Sequence, residues 1–89
     1  MAAYRIRVLN PAIEELAQLD QPTGRRIIKR LYWLADNLAS VRLEMLTGVL
    51  TGFYKLRVGD SRIIYEILWD AQEIVVHQIG HRREVYRKK

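Results

Sequence analysis

The sequence predicts an α+β fold, β-α-α-β-β-β, in which a helical hairpin packs on one face of a small, mainly antiparallel sheet. Two patterns indicate it: apolar and polar residues alternate near both ends of the chain, and apolar residues recur at helical spacing between them. Nearly half of the 89 residues are hydrophobic, which suffices for one modest core. We therefore expect a single domain over residues 1–89.

A strand over residues 3–9 and a short helix are predicted first. Apolar residues alternate with arginines in the strand, so one of its faces should be buried. Asn10 is a favoured N-cap and Pro11 a favoured first helical residue, so the helix should begin here and end near Leu19. Its predicted buried residues are Ile13, Leu16 and Ala17.

A second, longer helix is predicted over residues 22–38, after the break at Asp20-Gln21-Pro22. Its apolar residues recur at helical spacing and define the predicted buried face. They are Ile27, Leu31, Leu34 and Leu38. Residues 39–52 show little periodicity and contain two glycines, which predicts a connecting loop anchored by Leu46.

Residues 53–65, FYKLRVGDSRIIY, are predicted to form a β-hairpin with a two-residue turn at Gly59-Asp60. On its first arm, Lys55 and Arg57 point to the opposite side of the pleat from the apolar residues. The turn then places Arg57 directly opposite Arg62.

Two facing arginines have an energetic consequence. Like charges about 5 Å apart repel by about 1 kcal/mol in water, and an anion between them reverses the sign. One interpretation is a phosphate site built from Lys55, Arg57 and Arg62. The other is a solvated face whose long side chains splay apart.

The second arm of the hairpin should run over residues 62–69 and lead through a turn at Ala71-Gln72 into a last strand over residues 73–79. In this register Glu66 lies opposite His77, as an ordinary cross-strand pair. The predicted core residues are Ile63, Tyr65, Ile67, Trp69, Ile74 and Val76, with Trp33 also expected to pack. The predicted open face carries Lys55, Arg57, Arg62, Glu66, His77 and His81, and Gly80 should let the tail turn over it.

Composition narrows the function. No cysteine is present, which excludes disulfides and thiolate metal sites, and no apolar run is long enough to span a bilayer, so we expect a cytoplasmic protein without membrane contact. A net charge of +5 favours a polyanionic partner. No carboxylate cluster that would hold Mg²⁺ beside a phosphate is recognisable, so we expect no metal cofactor.

The open face suits metal-free RNA cleavage, in which the substrate's 2′-hydroxyl attacks its own phosphate. Arginines match phosphate oxygens and are always charged. In the tail, Tyr86 fits either a base or a stacking role, and His81 is a rival base or a surface histidine. Arg82 and Arg83 fit phosphate binding.

The order of elements, with YKLRVGDSRIIYEI in the middle and IGHRREVYRKK at the end, resembles the RelE branch of the RelE/ParE toxin–antitoxin superfamily. The resemblance implies a ribosome-dependent endonuclease that cleaves mRNA in the A site and is held inactive by a RelB-like antitoxin with an acidic segment. Its implied catalytic residues are Lys55, Arg57, Arg62, Arg82 and Tyr86. Its implied RNA-binding residues are His81, Arg83, Arg87 and Lys88.

Within this resemblance, Arg62 stabilises the phosphate, Arg82 is the general acid, and Tyr86 stacks on a base or activates the 2′-hydroxyl. Two departures from the family matter. Arg57 stands where the best-described members have lysine, so it must act by charge, and the shorter tail leaves Arg82 and Arg83 partly interchangeable. The alternative is a ParE-like toxin, which has a similar fold and inhibits DNA gyrase by binding without cleaving RNA.

Overall fold

The computed structural model describes residues 4–48 and 51–81, with only the backbone for His81. The elements are β1 (Arg5–Val8), α1 (Asn10–Ala17), α2 (Gln21–Asp36), β2 (Glu44–Met45), β3 (Tyr54–Val58), β4 (Ser61–Leu68) and β5 (Glu73–His81). The sheet has the order β1-β5-β4-β3-β2, in which β1 is parallel to β5 and the other neighbours are antiparallel. This confirms the predicted α+β fold.

A two-residue strand, β2, lies within the segment that was predicted to be a loop. It pairs with β3 and so forms the edge of a five-stranded sheet. Two residues are too few for an alternating pattern, which is why the sequence contains no signal for this strand. The predicted anchor Leu46 follows it and is buried.

The helix α1 is rotated relative to the prediction. Ala12 is fully buried, whereas Ile13 is 48% exposed, Ala17 is exposed and Leu16 packs at the edge of the core. The carboxylate of Glu15 accepts a hydrogen bond from the backbone N–H of Ile79 at 2.8 Å, which holds this side of the helix on β5. The small Ala12 therefore faces the sheet, and the prediction that Ile13 and Ala17 are buried is wrong.

The start of α1 also differs from the prediction by one residue. The backbone N–H of Leu9 still bonds the carbonyl of Val76 at 3.0 Å, and the helix then begins directly at Asn10. Leu9, whose side chain cannot cap a helix, therefore occupies the N-cap position that was predicted for Asn10. Pro11 lies in the first turn, as predicted.

The helix α2 buries the face that its periodicity predicts. Ile27, Leu31 and Leu34 lie in the core, and Leu38 is buried just beyond the end of the helix. Asp20 is the N-cap and accepts hydrogen bonds from the N–H and the hydroxyl of Thr23, at 3.3 and 2.9 Å. These bonds lower the pKa of the Asp20 carboxyl below its ordinary value.

The register of the β3–β4 hairpin confirms the prediction: Val58 lies opposite Ser61 and Arg57 opposite Arg62. Gly59 has a φ of +60°, as the first position of a type II′ turn requires. The hairpin therefore places the two arginines as neighbours across adjacent strands.

The predicted β4–β5 register is wrong. The loop has four residues, Trp69 to Gln72, because Gln72 adopts a φ of +54° and its N–H bonds the carbonyl of Trp69. Glu66 consequently lies opposite Val75. The register then shifts at a β-bulge between Ile64 and Tyr65.

Beyond the bulge, β5 continues past its predicted end at Ile79. Gly80 lies opposite Arg62 and the backbone of His81 lies opposite Ser61. Gly80 is therefore part of the strand instead of its end. Continued along β5, the predicted register would pair Arg62 with His81. The longer loop shifts the pairing by two residues and the bulge restores one, so Arg62 lies opposite Gly80.

The core lies between the helices and one face of the sheet. The predicted core residues of β4 and β5 are buried there: Ile63, Tyr65, Ile67, Ile74 and Val76. Trp69 is instead 51% exposed and packs edge-to-face on Tyr4, and Trp33 is 39% exposed. Both tryptophans are therefore surface residues, contrary to the prediction. In the described part of the chain, no helix is long and apolar enough to cross a membrane.

Candidate active site on the open face of the sheet

The open face of the sheet, which is the face opposite the helices, carries three cations beside the hairpin turn. Lys55 and Arg57 lie on β3, and Arg62 lies on β4 directly opposite Arg57. Alternation along both strands puts all three on one side, because the neighbouring apolar residues fill the core on the other. The hairpin thus gathers the predicted basic set at one end of the sheet.

The three cations differ in burial. Arg62 is only 8% exposed, Lys55 is half-buried and Arg57 is exposed. Arg62 has a neighbouring strand on each side, β3 and β5, whereas Arg57 lies beyond the two residues of β3 that pair with β2 and has a neighbouring strand only at β4. The interpretation as a solvated, splayed face therefore fits Arg57 and does not fit Arg62.

A buried arginine keeps its charge, because a guanidinium cannot be deprotonated in a protein. Arg62 lies opposite Arg57 on one side and opposite Gly80 on the other. Gly80 contributes no side chain to cover it. A held positive charge of this kind suits an anionic ligand with several oxygens, such as a phosphodiester.

A carboxylate that the sequence did not reveal accompanies Lys55. The short strand β2 places Glu44 directly opposite Lys55, while Ile64 is the neighbour of Lys55 on β4. Opposite charges at such positions attract. Glu44 therefore adds an acidic edge to the basic end of the open face.

The other end of the open face is partly apolar. Leu46 and Ile64 are buried there under Phe53, and the ring of Phe53 lies edge-to-face on His77 at 4.8 Å between ring centres. Alternation alone misses this cluster, because it requires an apolar Ile64 on the face predicted to be polar.

Glu66 and His77 form the pair that was predicted, although they are not directly opposite each other. The Nε2 of His77 lies 2.8 Å from the Oε1 of Glu66. The two residues are diagonal neighbours across β4 and β5, within reach of each other's side chains. We find this pair next to the apolar cluster, away from the hairpin turn.

Tyr65 is the buried tyrosine beneath this region, and its hydroxyl is unsuited to act as a base near neutral pH. It is 1% exposed and stacks on Tyr54 at 5.6 Å. Burial, with smaller contributions from Tyr54 and Glu44, raises the pKa of Tyr65 from 10.0 to about 12.

The remaining predicted site residues are in the C-terminal tail. Arg82, Arg83, Tyr86, Arg87 and Lys88 lie outside the described residues, as does the side chain of His81. Their roles therefore stay predictions. Within the described residues, the structure brings together Lys55, Arg57 and Arg62.

Residues 6–86 match the family model described as the ParE toxin of the type II toxin–antitoxin system parDE. Among curated proteins, none matches the chain in sequence. The family match defines a toxin of a type II toxin–antitoxin system, and the chain has the fold of the RelE toxins. The chain belongs to the ParE toxin family of type II toxin–antitoxin systems.

Solved structures confirm the fold. The chain resembles one in the RelBE2 toxin–antitoxin complex from Mycobacterium tuberculosis, with a TM-score of 0.82 and 23% identity over 92% of this chain and 94% of that one. It also resembles an Escherichia coli RelE mutant in complex with a RelB peptide, with a TM-score of 0.70 and 25% identity over 96% and 92%. A YoeB/ParE toxin from Agrobacterium tumefaciens matches with a TM-score of 0.73 and 14% identity over 86% and 96%.

Proposed function

We propose that this toxin is an endoribonuclease that cleaves mRNA in the ribosomal A site, without a metal ion, and thereby inhibits translation in the cytoplasm. The observation that carries the proposal is the buried Arg62, which faces Arg57 on an open, basic surface. Like charges at directly opposed positions repel each other, and the two guanidinium groups offer several donors to one anion. A phosphate between them removes that repulsion.

In the proposed reaction, the 2′-oxygen of the substrate attacks the adjacent phosphorus and the bond from phosphorus to the 5′-oxygen breaks. A base takes the proton of the 2′-hydroxyl and an acid protonates the leaving 5′-oxygen. The products are a 2′,3′-cyclic phosphate and a 5′-hydroxyl. Arg62 neutralises the charge that develops on the phosphorane oxygens, and Lys55 and Arg57 bind the same phosphate.

The acid and the base are assigned to the tail by resemblance to the family. Arg82 is the proposed general acid, with Arg83 able to replace it, and Tyr86 stacks on a base or activates the 2′-hydroxyl, with His81 as the rival base. Arg83, Arg87 and Lys88 would hold RNA phosphates. Arg57 acts by its charge and transfers no proton.

The proposed inhibitor is a RelB-like antitoxin with an acidic segment that crosses the basic face or displaces the tail. The similarity to RelE in complexes with RelB supports this partner. The attraction is Coulombic, so we expect the complex to weaken as salt is added.

The test compares Arg62→Ala and Arg57→Ala with the unmodified toxin in a translating extract. Each variant should cleave mRNA roughly 10²–10³-fold more slowly, the usual scale for losing a contact to transition-state charge. Arg25→Ala, an exposed position on the helical side, is the matched control and should cleave normally. Arg62 is buried, so folding is checked by circular dichroism, and the exposed Arg57 supplies a variant that keeps the core intact. Full activity in both folded variants rejects the proposal.

The second candidate is inhibition of DNA gyrase without RNA cleavage, which the match to the ParE family model favours. It predicts that the purified protein blocks gyrase supercoiling while mRNA in the same extract remains intact. Gyrase inhibition does not need the facing arginines, so Arg57→Ala would remain fully active in that assay.

A further inference from the structure

A second basic site lies outside the open face, in a groove of about 570 Å³ between α2 and the tip of the β3–β4 hairpin. Arg26, Lys29 and Arg30 line it from the helix, and Arg57 lines it from the hairpin. Trp33 forms one end. All the charged residues that line the groove, within the described part of the chain, are cations.

Helical spacing explains how α2 contributes this surface. Residues three, four and seven apart share one side of a helix, and Arg26, Lys29, Arg30 and Trp33 have these spacings. The buried face of α2 points to the core, so these four residues remain exposed. They form a stripe along the helix that no requirement of the core imposes.

Two contacts fix the ends of the groove. The guanidinium of Arg30 lies over the ring of Trp33, 4.3 Å from its centre, which orients both side chains. At the other end, a Cβ added to Gly59 would lie 3.3 Å from the Nη1 of Arg26, so the turn backbone and this guanidinium lie close together. The groove is therefore a formed feature, bounded by the helix and the hairpin.

We propose that this groove binds the phosphate backbone of single-stranded RNA where the strand leaves the candidate active site, with one base stacked on Trp33. The inference rests on the proposed function in taking this RNA to be the substrate. Arg57 joins the two sites, because it faces Arg62 across the hairpin and also lines the groove. A strand bound at Arg57 can thus continue round the hairpin tip.

RNA fits the groove better than an acidic peptide does. Carboxylates of a peptide would account for the cations and would leave the exposed tryptophan without a role. Proteins that bind single strands combine a positive groove with aromatic rings, because every base offers a π-face for stacking. The groove has both components.

The test measures binding of a short RNA oligonucleotide with every 2′-hydroxyl methylated, so that it cannot attack its own phosphate. Lys29→Glu/Arg30→Glu is compared with Arg25→Glu/Arg42→Glu, which makes the same charge change at exposed residues outside the groove. We expect the groove variant to bind the RNA at least about tenfold more weakly than the unmodified protein. The slope of log affinity against log salt concentration should also be smaller in magnitude by about 1.4, because two phosphate contacts are lost. The control should keep the slope of the unmodified protein.

Equal losses in the two double variants would overturn the proposal, because net charge alone would then explain binding. If the protein bound poly-glutamate and not the RNA, and if the groove substitutions weakened the binding of poly-glutamate, the groove would be assigned to an acidic protein instead. The assay measures binding without cleavage, so its result does not depend on whether the protein is a nuclease. A protein that cleaves mRNA normally but whose groove does not bind RNA would also be recognised.

A second readout tests the stacking contact. Trp33 and Trp69 are the two tryptophans of the chain, so Trp69→Phe leaves Trp33 as the sole indole fluorophore. Binding of the methylated RNA should quench its emission. Emission that does not change at saturation would reject Trp33 as the stacking residue.

Discussion

The residue on which the functional interpretation depends is Arg62. Burial at 8% exposure separates it from an ordinary surface arginine, and it lies directly opposite Arg57, at a position where like charges repel each other. Cations placed where negative charge develops in a reaction stabilise its transition state. This relation between stability and activity can be measured at Arg57, which is exposed.

We expect Arg57→Gln to raise the free energy of unfolding by roughly 0.2–1 kcal/mol at low salt, because it removes the repulsion with Arg62. The same change should reduce cleavage. Urea unfolding at two salt concentrations measures the gain, which should shrink at high salt because salt screens the charges. Arg25→Gln is the control, because Arg25 has no arginine opposite it. If Arg57→Gln lowered the free energy of unfolding by more than Arg25→Gln does, the two charges would not repel each other.

Tyr65 gives a prediction for alkaline pH. Its pKa rises from 10.0 to about 12 on folding because the hydroxyl is buried. Between these values the unfolded chain loses this proton and the folded chain keeps it, so rising pH favours unfolding, by up to about 1.4 kcal/mol per pH unit from this residue. The contribution is complete below pH 10 and is lost as the pH rises to about 12.

Thermal unfolding between pH 9 and pH 12 tests this prediction. Tyr65→Phe should flatten the alkaline loss of stability, while Tyr32→Phe, at a position that is 63% exposed, should leave it as in the unmodified protein. Identical pH profiles for Tyr65→Phe and the unmodified protein would contradict the burial effect.

At the scale of elements, the β3–β4 hairpin and the helix α2 follow from sequence pattern because each satisfies its local rules. Strict alternation and a glycine at the turn set the hairpin register, and four apolar residues at helical spacing set the buried side of α2. Three features have no local signal. The strand β2 is too short, the bulge beside Tyr65 depends on β4–β5 pairing, and the rotation of α1 depends on the distant bond from Ile79 to Glu15.

The candidate site, like the fold, was predictable where local patterns set it and not where tertiary packing does. Lys55, Arg57 and Arg62 follow from the hairpin pattern, whereas the burial of Arg62 depends on its place within the sheet. Glu44 enters through β2 and the groove cations through the packing of α2 near the hairpin tip, neither of which a local pattern contains.

Two glycines, one in the hairpin turn and one in α2, test how these elements are stabilised. The same substitution to alanine should change the free energy of unfolding in opposite directions at the two positions. Gly59→Ala should destabilise by roughly 1–2 kcal/mol, since an L-residue is strained at a φ of +60° and its Cβ would meet Arg26. Gly24→Ala, within α2 and with only an ordinary contact to Leu16 at 3.8 Å, should stabilise by roughly 0.5–1 kcal/mol. Urea unfolding of the two variants measures both changes. Destabilisation of similar size at both positions would show that the turn has no special requirement for glycine at residue 59.

At the level of the whole molecule, the fold and the family indicate a toxin but do not distinguish RNA cleavage from gyrase inhibition. Both RelE and YoeB/ParE structures share this architecture, and fold alone does not determine chemistry. The charge distribution is more specific: the net charge of +5 includes a cation set that extends from the open face round the hairpin tip to α2. Such a surface fits RNA wrapped over one end of the sheet better than a single point contact.

The most direct measurement is to add the purified protein to one mRNA, alone and in a translating extract, and to map the new 5′ ends by primer extension. The proposed A-site endonuclease activity predicts cuts at codon positions only during translation, with Arg62→Ala cutting roughly 10²–10³-fold more slowly at the same protein concentration. Intact mRNA in both tubes, from a protein that still arrests growth and blocks gyrase supercoiling, would contradict it.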